Sequence, residues 1–239
     1  MTKRNLTLHQ GDSREHIRSL PDASVDFILT DPPYNLNLYS TGNISLAWRK
    51  DINNDLAAWD GEPFDPAEWR PEFLRVLKPT GNLFAFTSYN LLGQWHAAYD
   101  PVFDTFQYLV WHKTNPVPKI YRAGFLNSCE LVVCMWNKGH TWNFKSQKEM
   151  HNFIESPICM GAERLQDPKH PTQKPLRVLR HLIEIASNPG DLIYDPFMGV
   201  GSTGVAALEL GRGFVGAEID PAYFAAAERR LEAVQVRMV

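Results

Sequence analysis

Apolar positions fall into short runs that alternate with helically spaced stretches along most of the chain. Residues 6–9 read as a strand ending at Gly11-Asp12, and residues 13–20 as a helix stopped by Pro21. A second strand at 25–30 has five apolar or β-branched residues in six and runs directly into Asp31-Pro32-Pro33-Tyr34. Proline lacks a ladder donor, so the strand must end there and expose a loop. Residues 66–77 place Trp69, Phe73 and Leu77 on one helical face, and Lys78-Pro79-Thr80-Gly81 ends that helix before a buried strand at 83–87. Strands at 107–111 and 131–136 bracket a Pro-rich, basic segment from 113 to 122. Helical spacing returns at 176–186. A strand at 192–194, a glycine-bearing turn, a helix at about 203–210, a strand at 214–217 and a last helix after Pro221 follow.

This rhythm predicts an α/β fold: a Rossmann-like, mostly parallel sheet with helices on both faces. The 239 residues, 44% of them hydrophobic, suit a single domain over 1–239. Irregular patterning rich in Lys, His, Asn and aromatics marks a loop-rich recognition insertion at approximately 113–170. Residues 35–61 are a second polar stretch, and no internal repeat or low-complexity tract is visible.

No apolar run approaches the roughly 18 residues that suggest a membrane span. The N-terminus, Met1-Thr2-Lys3-Arg4-Asn5, lacks a following apolar h-region, so a soluble, cytoplasmic protein without a membrane partner is expected. Cys129, Cys134 and Cys159 fit neither a disulfide framework nor a zinc pattern and are read as reduced and structural, with no metal site. The formal net charge of -3 is unfavourable for gripping phosphates. Its distribution changes the picture: residues 111–174 hold nine basic against five acidic residues, and the rest of the chain is the acidic part.

Two loops carry candidate chemistry. Asp195-Pro196-Phe197-Met198-Gly199-Val200-Gly201-Ser202-Thr203 lies between a buried strand and a helix, where open α/β sheets bind ligands. Its glycines admit close backbone approach, and the helix N-terminus offers free N–H groups. Glu218, 23 residues beyond Asp195, ends the next strand and can accept from both hydroxyls of a ribose, which points to a nucleoside-containing cofactor. Gly199, Gly201 and Gly204 formally match a dinucleotide pattern. Asp195 favours a ligand with an amino group and a sulfonium over a pyrophosphate, which it would repel.

Asp31-Pro32-Pro33-Tyr34 suits methylation of an aromatic amine. The lone pair of such an amine is delocalised into the ring and becomes nucleophilic when acceptors aimed at its two N–H bonds pull the nitrogen toward tetrahedral geometry. Asp31 supplies a carboxylate, Pro32 a rigid main-chain carbonyl, and Tyr34 a ring to stack on an extruded base.

With these stretches, together with Gly11-Asp12, Lys113-Thr114-Asn115-Pro116 and His170-Pro171-Thr172-Gln173-Lys174-Pro175, the chain resembles the β-group S-adenosylmethionine-dependent DNA amino-methyltransferases over nearly its whole length. The resemblance implies N6-adenine methylation of double-stranded DNA by base flipping, with Asp31, Pro32 and Tyr34 catalytic. It also implies an S-adenosylmethionine site in which Asp12 contacts the adenine and Glu218 the ribose. The loop of Asp195, Phe197, Gly199, Gly201, Ser202 and Thr203, with His170, Thr172 and Lys174, would meet the methionine end. Val200 stands where the family commonly has serine.

Lys113, Lys119 and Arg122 are expected on DNA phosphates, with Tyr39, Arg49 and Lys50 as further candidates. Trp142, Phe144 and Phe153 suit either a local core or base contact. N4-cytosine methylation is the near alternative, Asp at position 31 favouring adenine within the family. A catalytically idle DNA-binding subunit and a nucleotide-dependent oxidoreductase are the readings from other classes. The resemblance also admits a homodimer and a cognate restriction endonuclease.

Overall fold

A computed structural model describes residues 5–35, 44–46, 49–52, 64–118 and 125–237. Its main sheet contains β1 (Leu6–Gln10), β2 (Val25–Thr30), β5 (Leu77–Thr87), β6 (Thr105–Lys113), β7 (Cys129–Trp136), β8 (Phe153–Ser156), β9 (Leu192–Asp195) and β10 (Gly213–Glu218). Strands β3 (Ile44–Leu46) and β4 (Arg49–Ile52) form a separate antiparallel pair. The spatial order is β1-β10-β9-β2-β5-β7-β6-β8. The ladder is parallel from β1 to β5 and between β6 and β8, and antiparallel on both sides of β7.

Both faces of the sheet are buried because each central strand is apolar at odd and even positions. Phe27, Leu29, Phe84, Phe86, Val132 and Cys134 face α4 (Leu176–Ala186), α5 (Ser202–Glu209) and α6 (Pro221–Arg237). Ile28, Leu83, Ala85, Val133 and Met135 face α1 (Ser13–Ser19), α2 (Pro66–Val76) and α3 (Leu92–Tyr99). This is the three-layer architecture expected for a continuous run of buried parallel strands. Among the described residues no helix is long and apolar enough to cross a membrane.

Sequence patterning passed over α3, β8 and the β3–β4 pair, which lies in the polar stretch 35–61, and misplaced the start of β5. Helix α3 begins without a side-chain cap and carries Gly93, so it has no start signal. Strand β8 buries only Ser156 well and shows no hydrophobic alternation. Lys78-Pro79-Thr80-Gly81, expected as a turn, is instead the bulged entry of β5. Val25 pairs with Leu77 and Phe27 with Asn82, so the extra residues are absorbed in one register shift.

The order in which successive strands are laid down reverses between β9 and β2, which themselves run parallel. From β2 the crossover through α2 leads to β5 on one side, and from β9 the crossover through α5 leads to β10 on the other. The carboxyl ends of these two adjacent strands therefore open a crevice at a topological switch point, where doubly wound sheets bind ligands.

Candidate active site

Thr30 Oγ1 donates to Asp195 Oδ1 at 2.9 Å and joins the two strand ends on either side of that crevice. A cavity of about 650 Å³ opens above them. Asp31, Pro32 and Tyr34 line it from the β2 side, and Asp195, Phe197, Gly199, Ser202 and Thr203 from the β9 side. Asp12, His170, Thr172, Lys174 and Glu218 complete the predicted set on its wall. Gly201, although expected there, is not in the lining: it stands at the N-cap of α5 with φ 76°, and a Cβ would come within 3.0 Å of Ala227 Cβ.

Local sequence explains the shape of each wall. Asp12 caps α1 by accepting from Arg14 N at 2.7 Å, which holds its carboxylate at the cavity rim. Gly199 adopts φ 52° and packs against His170, whose ring meets Tyr223 at 4.6 Å. The αL geometry at Gly199 and Gly201 turns the chain from β9 into α5 without strain. Phe197 and Trp69 meet edge to face at 4.9 Å, an aromatic wall that the sequence reading did not include.

Asn35, in the αL region, accepts from Phe64 N at 2.7 Å and donates to Phe64 O at 2.9 Å. The Asp31 loop and the approach to α2 are thereby clasped together. Asn90 Nδ2 donates to Tyr34 O at 3.0 Å and steadies the same loop from the end of β5.

Asp31 is the centre of a buried charge network. Its Oδ1 accepts from Tyr34 Oη at 2.6 Å, and its Oδ2 meets Lys174 Nζ at 2.5 Å. Lys174 also reaches Glu130 Oε2 at 3.2 Å, and Lys113 pairs with Glu130 Oε1 at 2.7 Å. Burial pushes the Asp31 carboxyl above its usual range, with Lys174 opposing the shift and Glu130 adding to it. Burial also disfavours the charged form of Lys174, but Asp31 and Glu130 hold its ammonium above the usual lysine range. Tyr34 is pushed well up by burial and then by the two carboxylates, so its hydroxyl stays protonated.

Two of the predicted lysines have carboxylate partners that the sequence did not foresee. Lys174, expected at the methionine end of a cofactor, sits with a side chain only 7% exposed on the Asp31 carboxylate. Lys113, expected on phosphate, is ion-paired inside the protein with Glu130. Lys119, Arg122 and Tyr39 lie outside the described residues, whereas Arg49 and Lys50 belong to β4. Trp142 packs with Trp136, His140 and Phe84, while Phe144 and Phe153 are exposed. Glu130 escaped the sequence reading. The only signal was a single acid near the start of an apolar strand, and its cationic partners are remote in sequence.

The opposite wall offers acceptors. Glu218 Oε2 accepts from Gly199 N at 2.9 Å and Oε1 from Asp220 N at 2.8 Å, leaving lone pairs free for a diol. Burial pushes Asp195 up to about 7, against hydrogen bonds from Thr203, Phe197 and Thr30. Burial and then Lys174 and Arg164 bring His170 down to about 4, so its ring is neutral near pH 7. A diol acceptor, a buried acid, an aromatic wall and the α5 N-terminus in one cavity fit a nucleoside carrying a cationic amino-acid tail, as in S-adenosylmethionine. Among the described residues no group of three or more His, Cys, Asp or Glu could hold a metal ion.

Comparison with known proteins gives concordant findings. A family model described as DNA methylase matches residues 25–229. The chain is 31% identical to Type II methyltransferase M.HinfI of Haemophilus influenzae, across 98% of this chain and 72% of that protein. It is also 31% identical to Type II methyltransferase M2.DpnII of Streptococcus pneumoniae, across 97% of this chain and 91% of that protein. Among solved structures, the M1.HpyAVI-SAM complex superposes with a TM-score of 0.70 at 26% identity, covering 95% of this chain and 98% of that one. The cytosine-N4-specific PvuII DNA methyltransferase shares the fold, with a TM-score of 0.67 at 17% identity over 99% of this chain and 93% of that one.

Proposed function

The chain belongs to the DNA methylase family, and from that premise we propose that it transfers the methyl group of S-adenosylmethionine to N6 of adenine in double-stranded DNA, with Asp31, Pro32 and Tyr34 holding the amine. The observation that carries this reading is the shared cavity: the Asp31 loop and the glycine turn open into one space from adjacent strand ends.

Bound S-adenosylmethionine supplies an electrophilic methyl group on a sulfonium. The protein's part is to present the nucleophile. Asp31 keeps lone pairs beyond those used by Tyr34 and Lys174, so one can accept an N–H of the adenine amine. The Pro32 carbonyl is the second acceptor, and together they draw the nitrogen lone pair out of conjugation. Lys174 opposes the effect of burial on Asp31 and favours the ionised, accepting form. The Tyr34 ring stacks on the extruded base, and its hydroxyl, 2.6 Å from Asp31, orients the carboxylate. Transfer would move the positive charge onto the methylated nitrogen, which would then lose an N–H proton to the Asp31 carboxylate that holds it and on to solvent, so placement matters more than a strong base.

In the same reading Asp12 and Glu218 hold the adenosine, and Asp195, Phe197, Thr172, His170, Gly199, Ser202 and Thr203 hold the amino-acid end, with Gly201 shaping the turn. The 113–170 region, within a single domain, carries target recognition, and Lys119 and Arg122 touch phosphates. A cytoplasmic site of action follows from the DNA substrate. A homodimer and a cognate restriction endonuclease are further proposals, open to sedimentation and to cleavage-protection assays.

The test is incubation of duplex DNA with methyl-labelled S-adenosylmethionine, followed by nucleoside analysis. N6-methyladenine is the expected product. Label in N4-methylcytosine would assign the other amine, and a wild-type protein that labels no duplex would sink the reading.

A further inference from the structure

Glu130 does not line the cavity, yet three of the polar groups that meet in the Asp31 network converge on it. Its Oε2 is 3.2 Å from both Lys174 Nζ and Tyr34 Oη, and its Oε1 is 2.7 Å from Lys113 Nζ. Lys174 therefore bridges the two carboxylates, at 2.5 Å from Asp31 and 3.2 Å from Glu130, while the one proton of the Tyr34 hydroxyl has Asp31 as its near acceptor at 2.6 Å and Glu130 as its more distant one at 3.2 Å. Two acids and two ammonium groups make the cluster neutral, as a buried ionic network must be to avoid an uncompensated charge.

Lys113 is built into this arrangement. Its backbone N–H donates to Ser128 O at 2.7 Å, and its ammonium lies 5.7 Å from the Trp111 ring centroid and 3.4 Å from Asn127 O. Its side chain is 15% exposed, which leaves little for a phosphate to contact.

Resting on the methyl-transfer reading, we propose that Glu130 is a positioning residue that fixes the Lys174 ammonium and the Tyr34 hydroxyl around Asp31, with Lys113 as its internal counter-ion. Strand β7, which follows the basic 113–122 segment, thereby has a direct hold on the catalytic loop.

The groups against Asp31 are Tyr34 from its own loop, Lys174 from the segment before α4, Glu130 from β7 with Lys113 behind it from β6, and Asp195 from β9. Within that set Glu130 raises the Asp31 carboxyl, and Lys113 helps hold Glu130 low. Removing Glu130's charge should therefore lower the midpoint of Asp31, and removing Lys113's should raise that of Glu130.

The test uses the full-length protein and the variants Glu130→Gln, Lys113→Met and their combination. Carboxyl carbon NMR titration without cofactor or DNA reads the midpoints, and steady-state kinetics read kcat, KM and the salt dependence of DNA binding. Expected are a lower Asp31 midpoint in Glu130→Gln and a higher Glu130 midpoint in Lys113→Met. In both, kcat should fall on the order of tenfold with KM for DNA and the salt slope unchanged. The double variant, again neutral, should recover thermal stability lost in the single variants without recovering kcat, which keeps the test usable if one single variant folds poorly.

Wild-type kcat and unmoved midpoints in Glu130→Gln would overturn the proposal. So would a Lys113→Met variant with intact kcat and a salt slope reduced by about one phosphate contact. Failure of the wild type to methylate DNA would instead overturn the methyl-transfer reading. The two failures are distinguishable because the midpoints are measured without substrate.

Discussion

The hydroxyl of Thr30 lies 2.9 Å from the carboxylate of Asp195, although 165 positions separate the two residues in the chain. This bond ties the end of β2, from which the Asp31 loop leaves, to the end of β9, from which the glycine turn leaves. An amine held at Asp31 and a sulfonium held at the turn would then face each other across one cavity, and direct transfer needs that proximity.

Asp31→Ala should reduce kcat on the order of 10² or more, because one of two preorganised acceptors is lost. Affinity for S-adenosylmethionine should stay within a few fold, since Glu218 and the glycine turn are untouched. Single-turnover methylation and calorimetry check the two halves separately.

Lys174→Met should move the acidic limb of the kcat profile to higher pH. Lys174 lowers the Asp31 carboxyl, so without it burial and Glu130 are opposed by the Tyr34 hydrogen bond alone and the accepting form is reached only at higher pH. Lys174→Arg should keep the limb near its wild-type position. A pH–rate profile that is the same in all three proteins would show that Asp31 ionisation does not govern the rate.

The elements with local punctuation were legible in the sequence. Asp31-Pro32-Pro33-Tyr34 and the Gly199 to Gly204 turn announce themselves because proline must end a strand and glycine must turn one. Helix α4 spans the same residues, 176–186, that its apolar spacing predicts. What escaped depends on partners distant in sequence. Glu130 reads as an isolated charge until Tyr34, 96 residues away, and Lys174 close on it. Lys113 reads as a DNA contact until the pairing of β6 with β7 brings it to Glu130. Trp69 reads as part of one helical face and turns out to pack, with Phe64, on Phe197 at the cavity.

S-adenosylmethionine should bind more tightly as pH rises from 6 to 8. Burial brings Asp195 up to about 7, and only its ionised form attracts a cationic tail. The sign is opposite for the ligand-free protein, because a carboxyl whose folded pKa is raised contributes stability at low pH and loses it as pH climbs from the ordinary carboxylate range to about 7. Asp195→Asn should weaken binding and flatten its pH dependence in calorimetry. A variant that keeps the wild-type slope would place the titrating group elsewhere.

Gly204→Ala should lower stability without touching the cavity. A Cβ there would stand 2.7 Å from both Phe214 Cδ1 and Leu231 Cδ2, between α5, β10 and α6. Overpacking of this kind costs about 1–3 kcal/mol, a Tm drop of several degrees by calorimetry, with cofactor affinity retained.

The structure of the protein with an unreactive S-adenosylmethionine analogue and a duplex carrying its target is the most direct test of the central claim. The account predicts an extruded adenine stacked on Tyr34, with N6 at about 3 Å from the Asp31 carboxylate and from the Pro32 carbonyl, and with the methyl position of the analogue on the far side of that nitrogen. A base held away from Asp31, or an analogue bound where its methyl position cannot reach the base, would contradict it.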